Sequence, residues 1–296
     1  MARPSPIEAL VAPRVRALLE VLPNAVAGQT EPVHRARVAS RRLRELLPPL
    51  RAAVAAGAAD RARAEVRRVT RALGPVRELD VALALFDELA TAHGLRAGAR
   101  QVVVRAMTRD RDAALRRAQR ALPERRQVKL AAALAALDGP MPAVALDGVQ
   151  AAVDDRVARR VARVRKALHR AGAMYVPERL HQIRIAVKQL RYALEVAATV
   201  RRSRAAARIA QLRDVQDLLG RAHDLHVLAE RIRRVQTGVV RTSRATAAEL
   251  ERLLTRIDIA CRAEHAAFMS RRAALLALCD AVQPLGAAPD RRQSVA

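Results

Sequence analysis

The sequence predicts an all-α protein built from two related halves. Three observations lead there. Apolar residues recur at three- and four-residue spacing along nearly the whole chain, and β-branched alternation is absent. Apolar residues make up 51% of the 296, enough for a sizeable core, yet the chain has two Phe, two Tyr and no Trp. Ala, Val and Leu must therefore fill that core. Finally, a basic motif and a downstream Leu-Gly segment each occur twice, in the same order.

The elements follow from periodicity and breakers. Leu10, Leu18 and Leu22 mark a first helix that stops at the Gly28-Gln29-Thr30 loop. Glu31-Pro32 opens a second, with proline at a position whose missing N–H does no harm, and it is expected to run to Gly57. A third is expected from about Asp60 past Leu89 to the His93-Gly94 break, a fourth from Ala97 to Leu122, and a shorter one from Glu124 to Leu137. Asp138-Gly139-Pro140-Met141-Pro142 is the strongest interior breaker and divides the chain into halves 1–138 and 143–283. Helices are expected in the second half at about 145–171, 178–201, 204–236 and 240–283, parted by Gly172, Arg201–Arg204 and Gly238. The tail 284–296 is polar, with Gly286 and Pro289, and is expected to be disordered.

Cys261 and Cys279 lie on one expected helix, about 27 Å apart at helical rise, so they cannot pair with each other. Reduced, buried thiols in a cytoplasmic protein are expected. Pro4, Pro6, Glu8 and Pro13 do not have the form of a signal peptide, and no apolar stretch approaches the length of a membrane span.

The chain carries 55 Lys+Arg against 29 Asp+Glu, a formal charge of +26, and all the basic residues are arginine except Lys129, Lys166 and Lys188. Base composition can choose arginine over lysine, but it does not require nearly two bases per acid. Such an excess points to a polyanionic partner. With so few aromatics, stacking on nucleic-acid bases is nearly excluded as a binding mode.

The first motif, His34-Arg35-Ala36-Arg37-Val38-Ala39-Ser40-Arg41-Arg42-Leu43-Arg44, recurs as His181-Gln182-Ile183-Arg184-Ile185-Ala186-Val187-Lys188-Gln189-Leu190-Arg191, an offset of 147. The segment from Leu73 to Val81 recurs from Leu219 to Val227, an offset of 146. Duplication is the economical explanation. On a helix, His34, Arg37, Arg41 and Arg44 fall at roughly 0°, 300°, 340° and 280°, one face about 80° wide. Ala36, Ala39, Leu43, Leu46, Leu47 and Leu50 centre on the opposite face, and Ile183, Ala186, Leu190, Ala193 and Leu194 repeat the pattern. Each helix thus has a packed face and a separate row of cations. A solvated basic face is the plain alternative, but it does not account for the same spacing in matched register. Guanidinium forks suit phosphate oxygens, and two rows suit a long polyanion. Arg63, Arg67, Arg68 and Arg71, and seven basic residues with no acid between Arg156 and Arg170, add to the basic surface.

His34 and His181 head the rows. Each can donate to a phosphate oxygen, or instead be satisfied by a local helix carbonyl. His223 and His226 share a helix face, but no third ligand stands at a metal-binding spacing.

With its two His-x-x-Arg-x-x-x-Arg/Lys-x-x-Arg helices, each followed about 40 residues later by Leu-Gly, the chain resembles the CHAD (conserved histidine α-helical domain) family. The resemblance runs from the first helix to about residue 283. It implies two pseudo-symmetric four-helix bundles with a basic central channel, binding of inorganic polyphosphate, and association with polyphosphate granules in the cytoplasm. Some members are fused to a triphosphate tunnel metalloenzyme domain; this chain, with no β-rich segment, is expected to stand alone. The ligand contacts carried over by match are His34, Arg37, Arg41, Arg42 and Arg44, with His181, Arg184, Lys188 and Arg191. Arg67, Arg71, Arg77, Arg213 and His223 are candidates for further contacts. The second copy departs with Gln189 opposite Arg42, Tyr192 opposite Glu45 and His226 opposite Asp80.

The expected function is therefore non-enzymatic binding of inorganic polyphosphate, with no cofactor, no metal and no membrane. A nucleic-acid-binding protein for RNA or nucleoid DNA is the alternative; it would call for helix-turn-helix or stacking features, and none is evident. A hydrolase acting on polyphosphate is a third class, which would want carboxylates for metal ions beside the rows. The rows carry none on their own faces.

Overall fold

A computed structural model describes residues 8–137, 143–201, 205–239 and 243–282. Among them are ten α-helices and one 3-10 turn, and no strand. The first half holds α1 (Glu8–Val26), α2 (Thr30–Leu46), the 3-10 turn (Pro48–Ala52), α3 (Ala58–Ala72), α4 (Gly74–Ala92), α5 (Ala97–Ala121) and α6 (Glu124–Ala135). The second half holds α7 (Ala143–Ala171), α8 (Pro177–Arg201), α9 (Ala206–Val239) and α10 (Arg244–Ala281). The expected boundary at Asp138–Pro142 and the tail from Pro284 lie outside the described residues.

Three expected boundaries need correction, each for a local reason. The second helix stops at Leu46 rather than Gly57, because Pro48 and Pro49 lack the N–H groups that would continue it and set up the tighter 3-10 turn. The single helix expected from Asp60 to His93 is two, meeting at Leu73-Gly74. Pro75 sits in the first turn of α4, where proline starts a helix but cannot continue one. Gly238 does not part helices; it lies in the last turn of α9. At the start of α10 Ser243 accepts a hydrogen bond from the Thr246 N–H at 3.3 Å and satisfies one of the orphan donors there.

The apolar phase read from the motifs is the one that packs. Ala36, Leu43, Leu46, Leu47 and Leu50 are fully buried, as are Ile183 and Leu190. One continuous core runs from Val11 through both halves to Val282, with Phe86 and Phe268 its largest members. Within the first half α1 packs on α2, α3 on α2 and α6, and α4 on α5; within the second, α7 packs on α8 and α9 on both α8 and α10. Across the halves α2 meets α8 and α4 meets α9. Gly28, with φ of 92°, makes the α1–α2 turn in a backbone region that side chains disfavour, and Leu115 fills the space where its Cβ would be. Cys261 and Cys279 are free and buried.

A buried acid and a half-buried one tie the halves together. Glu45 on α2 accepts from Arg156 at 2.7 Å and from Arg160 at 2.8 Å, both on α7. Glu195 on α8 takes Arg42 of α2 at 3.2 Å and also pairs with Arg191 on its own helix.

Candidate functional site: a basic cleft between the two motifs

The two cation rows do not face open solvent side by side. They face one another across a cleft of about 450 Å³ lined by α2, α4, α8 and α9. From α2 come His34, Arg37 and Arg41; from α8, the matched His181, Arg184 and Lys188. The downstream segments supply Arg77 and Glu78 from α4, and His223 and Asp224 from α9. Five basic side chains and three imidazoles thus meet two carboxylates.

The Leu-Gly segments now have a physical role. A Cβ on Gly74 would lie 2.9 Å from an Arg37 guanidinium nitrogen, and one on Gly220 would lie 3.9 Å from Arg184 Nε. Each arginine therefore packs on the glycine of its own copy's second segment. Arg37 also donates to the Thr70 carbonyl at 3.0 Å, in the last turn of α3, where carbonyls lack helical donors. Arg184 lies 3.8 Å from Asp224, and its Nε is buried without a hydrogen-bond partner. His181 and His223 meet Nδ1 to Nδ1 at 3.1 Å. In the first copy Arg77 takes the place of His223 and acts on His34.

Burial and like charge set the protonation of the cleft. Burial, then Arg41 and Arg77, push Arg37 down to about 10, so it stays charged at neutral pH. Burial, then Arg184 and Arg41, push Lys188 down to about 6. His223 falls to about 3 through burial, Arg184 and His181, and His34 and His181 are lowered mainly by burial. Burial raises Asp224 against the pull of Arg184 and Lys188. At neutral pH the imidazoles are uncharged, while the arginines carry the positive field.

Of the nine residues expected as contacts, six line this cleft and three do not. Arg42 lies on the other flank of α2, at roughly 80° by rotation from His34, where it pairs with Glu195 and lines an adjoining cleft of about 480 Å³ with Arg14 and Arg35; His34 and Val38 line both clefts. Arg44 and Arg191 close the rows at the edge turned furthest from His34 and His181. Arg44 is half-buried with Arg67 and Arg63 as its cationic neighbours. Arg191 is buried, donates to Gln216 on α9 at 2.9 Å and stacks over Tyr192. Rotation at the row's end carries these side chains into helix contacts. Among the further candidates, Arg77 and His223 line the cleft. Arg67, Arg71 and Arg213 are exposed outside it, Arg71 on a neighbouring groove with Arg68 and Arg117.

Sequence reasoning missed Glu78, Asp224 and the two glycines. Repeat alignment had set Gly74 opposite Gly220 and Glu78 opposite Asp224, so the signal was present as a matched position without a role. His226 lies 3.7 Å from Glu230 and does not line the cleft. Among the described residues no cluster of three or more His, Cys, Asp or Glu could hold a metal ion.

Two solved structures share this architecture. One, PptA from Streptomyces chartreusis, matches with a TM-score of 0.65 at 20% identity, over 90% of this chain and 97% of that one. The other, the CHAD domain from the plant Ricinus communis, matches with a TM-score of 0.59 at 22% identity, over 94% of this chain and 92% of that one. No curated protein matches the chain. The family profile described as "CHAD domain" matches residues 9–233, about three-quarters of the sequence and every residue lining the cleft, and so the chain belongs to the CHAD domain family.

Proposed function

We propose that this chain binds inorganic polyphosphate in the α2–α4–α8–α9 cleft, as a binding protein rather than a catalyst, in the cytoplasm and at polyphosphate granules. One observation carries the reading: Arg37, Arg41, Arg77, Arg184 and Lys188 converge on one cleft from three helices, with only Glu78 and Asp224 as acids. Family membership supports it, since the CHAD resemblance implies this ligand. Bidentate guanidinium–phosphate contacts give geometry, and release of counterions from the polyanion adds affinity. Polyphosphate offers no base to read, which suits a cleft without an aromatic platform. Arg71 and the groove beside it extend the basic surface for chains longer than the cleft.

The test is competition. Long-chain polyphosphate, RNA and duplex DNA are titrated against the same labelled protein at about 0.15 M salt. Polyphosphate is expected to bind tightest per charge; equal or tighter binding of nucleic acid overturns the reading in favour of the alternative. Among the described residues no helix is long and apolar enough to cross a membrane.

A further inference from the structure

The two walls of the cleft differ in how permanent their charge is. On the α2–α4 wall the positions after the leading histidine are Arg41 and Arg77. The matched positions on the α8–α9 wall are Lys188 and His223. An arginine keeps its proton under all ordinary conditions, whereas an amine or an imidazole can give it up. We infer that the α8–α9 wall is a proton-uptake site, at which Lys188 and the His181–His223 pair gain protons when a polyanion enters the cleft. This rests on the polyanion reading above and adds to it the regulation of that site by pH.

Geometry supports this directly. His181 and His223 approach Nδ1 to Nδ1 at 3.1 Å, so one ring donates and the other accepts. Two imidazoliums would set N–H against N–H, and the contact would have to open. The pair therefore excludes the second proton while it is closed. Its surroundings do the same. Arg184 and Lys188 from α8 and His226 from α9 act against its charge, and Glu78 from α4 favours it. Lys188 faces Arg184 on its own helix and Arg41 and Arg37 from α2, with Asp224 of α9 as the opposing acid. Burial, and after it this crowd of cations, holds Lys188 near 6 and His223 near 3.

A polyphosphate chain in the cleft reverses the balance. Its negative charge favours the protonated amine and imidazolium, and the protons come from solvent. Binding and protonation then strengthen each other, because linkage is reciprocal. Each proton taken up steepens the pH dependence by up to about tenfold in Kd per pH unit. The side chains of the ligand-free cleft thus carry less positive charge, and repel one another less, than they would if fully protonated without the polyanion.

The experiment is calorimetric titration with long-chain polyphosphate at pH 7.5 in two buffers of different ionisation enthalpy, with Kd followed from pH 5.5 to 8.5. Long chains are used because their internal phosphates do not titrate in this range. The wild type is expected to take up about one proton at pH 7.5 and to bind more tightly as pH falls. Lys188→Arg is expected to bind with little uptake and a flatter profile, and His223→Gln to lose the added steepness below pH 6. Binding without proton uptake by the wild type, or equal uptake by Lys188→Arg, overturns this inference and leaves the polyphosphate reading standing. No binding at any pH overturns both. Nitrogen-15 NMR of the ligand-free wild type needs no variant: Lys188 titrating above pH 9 overturns the inference outright.

Discussion

The first-copy wall and the second-copy wall share an apolar phase, a leading histidine, a carboxylate and an arginine seated on a glycine, and differ in how each is continued and braced. On the first, Pro75 divides α3 from α4; on the second, Arg221 stands at the matched position, α9 runs on unbroken, and Arg221 pairs with Glu88 of α4 at 2.7 Å. On the first, Glu45 is a buried acid holding two arginines of α7; on the second, the matched Tyr192 is buried beneath the Arg191 guanidinium. What the copies keep is the helix phase that buries Leu43 and Leu190 and the close approach of Arg37 to Gly74 and Arg184 to Gly220. What they vary is how each helix is continued and how its charge is balanced. The retained features place Arg37 and Arg184 in the cleft; the varied ones set how each wall is continued and what charge it carries.

The largest effect expected from testing this comparison is on ligand binding. Arg37→Glu with Arg41→Glu, and separately Arg184→Glu with Lys188→Glu, should each weaken polyphosphate binding by orders of magnitude, with helicity by circular dichroism unchanged. If one pair leaves Kd unaltered, the ligand does not use that wall.

Next in size is the stability difference between the matched positions 45 and 192. Glu45→Gln leaves Arg156 and Arg160 short of a counter-charge, and breaking a buried pair in this way costs about 3–5 kcal/mol. Tyr192→Phe keeps the ring under Arg191 and should cost less than about 1 kcal/mol. Thermal melts would show the contrast at about 2–4 °C per kcal/mol, given two-state unfolding. Similar losses at both positions would mean that Glu45 is not the anchor between α2 and α7.

Smaller and opposite effects are expected at the glycines. Gly74→Ala sets a methyl 2.9 Å from the Arg37 guanidinium, so the arginine must move and binding should weaken several-fold. Gly220→Ala meets Arg184 at ordinary contact distance and lies inside α9, so it should stabilise by about 0.5–1 kcal/mol and leave Kd nearly unchanged. Reversal of that order would show that the two arginine–glycine seats are not used alike.

The last effect is on pH-dependent stability without ligand. Lys188 is held near 6 in the folded protein, below its ordinary value. Below pH 6 it is charged in both states and the folded form bears the full cost; as pH rises the folded lysine sheds its proton first, and the cost disappears by about pH 10.5. Lys188→Met should therefore melt higher than the wild type at pH 5, with the gap closing between pH 6 and 10. A gap independent of pH would place the lysine in solvent.

Much of this was legible in advance because it is local. Helix phase is a property of neighbouring residues, so Leu43, Leu190 and the rows from His34 and His181 could be assigned from spacing alone. The missed helix ends were local too: Pro48-Pro49 and Gly74-Pro75 carried the signal, and the surrounding apolar pattern overrode it. Arg42, Arg44 and Arg191 were a different matter. Their residue type suits a phosphate as well as it suits Glu195 or Gln216, and only the helix packed alongside decides which one is within reach.

The sequence by itself determined an all-helical chain, a positive field and two matched rows of cations, because periodicity and charge need no knowledge of what lies across a helix. The tertiary structure alone decided that the rows face each other across one cleft, that Glu78 and Asp224 join them, and that His181 finds His223. It also decided which cations keep their protons. Distance across helices sets the strength of charge interactions, and burial sets the cost of holding a proton; neither is written in the order of residues along the chain.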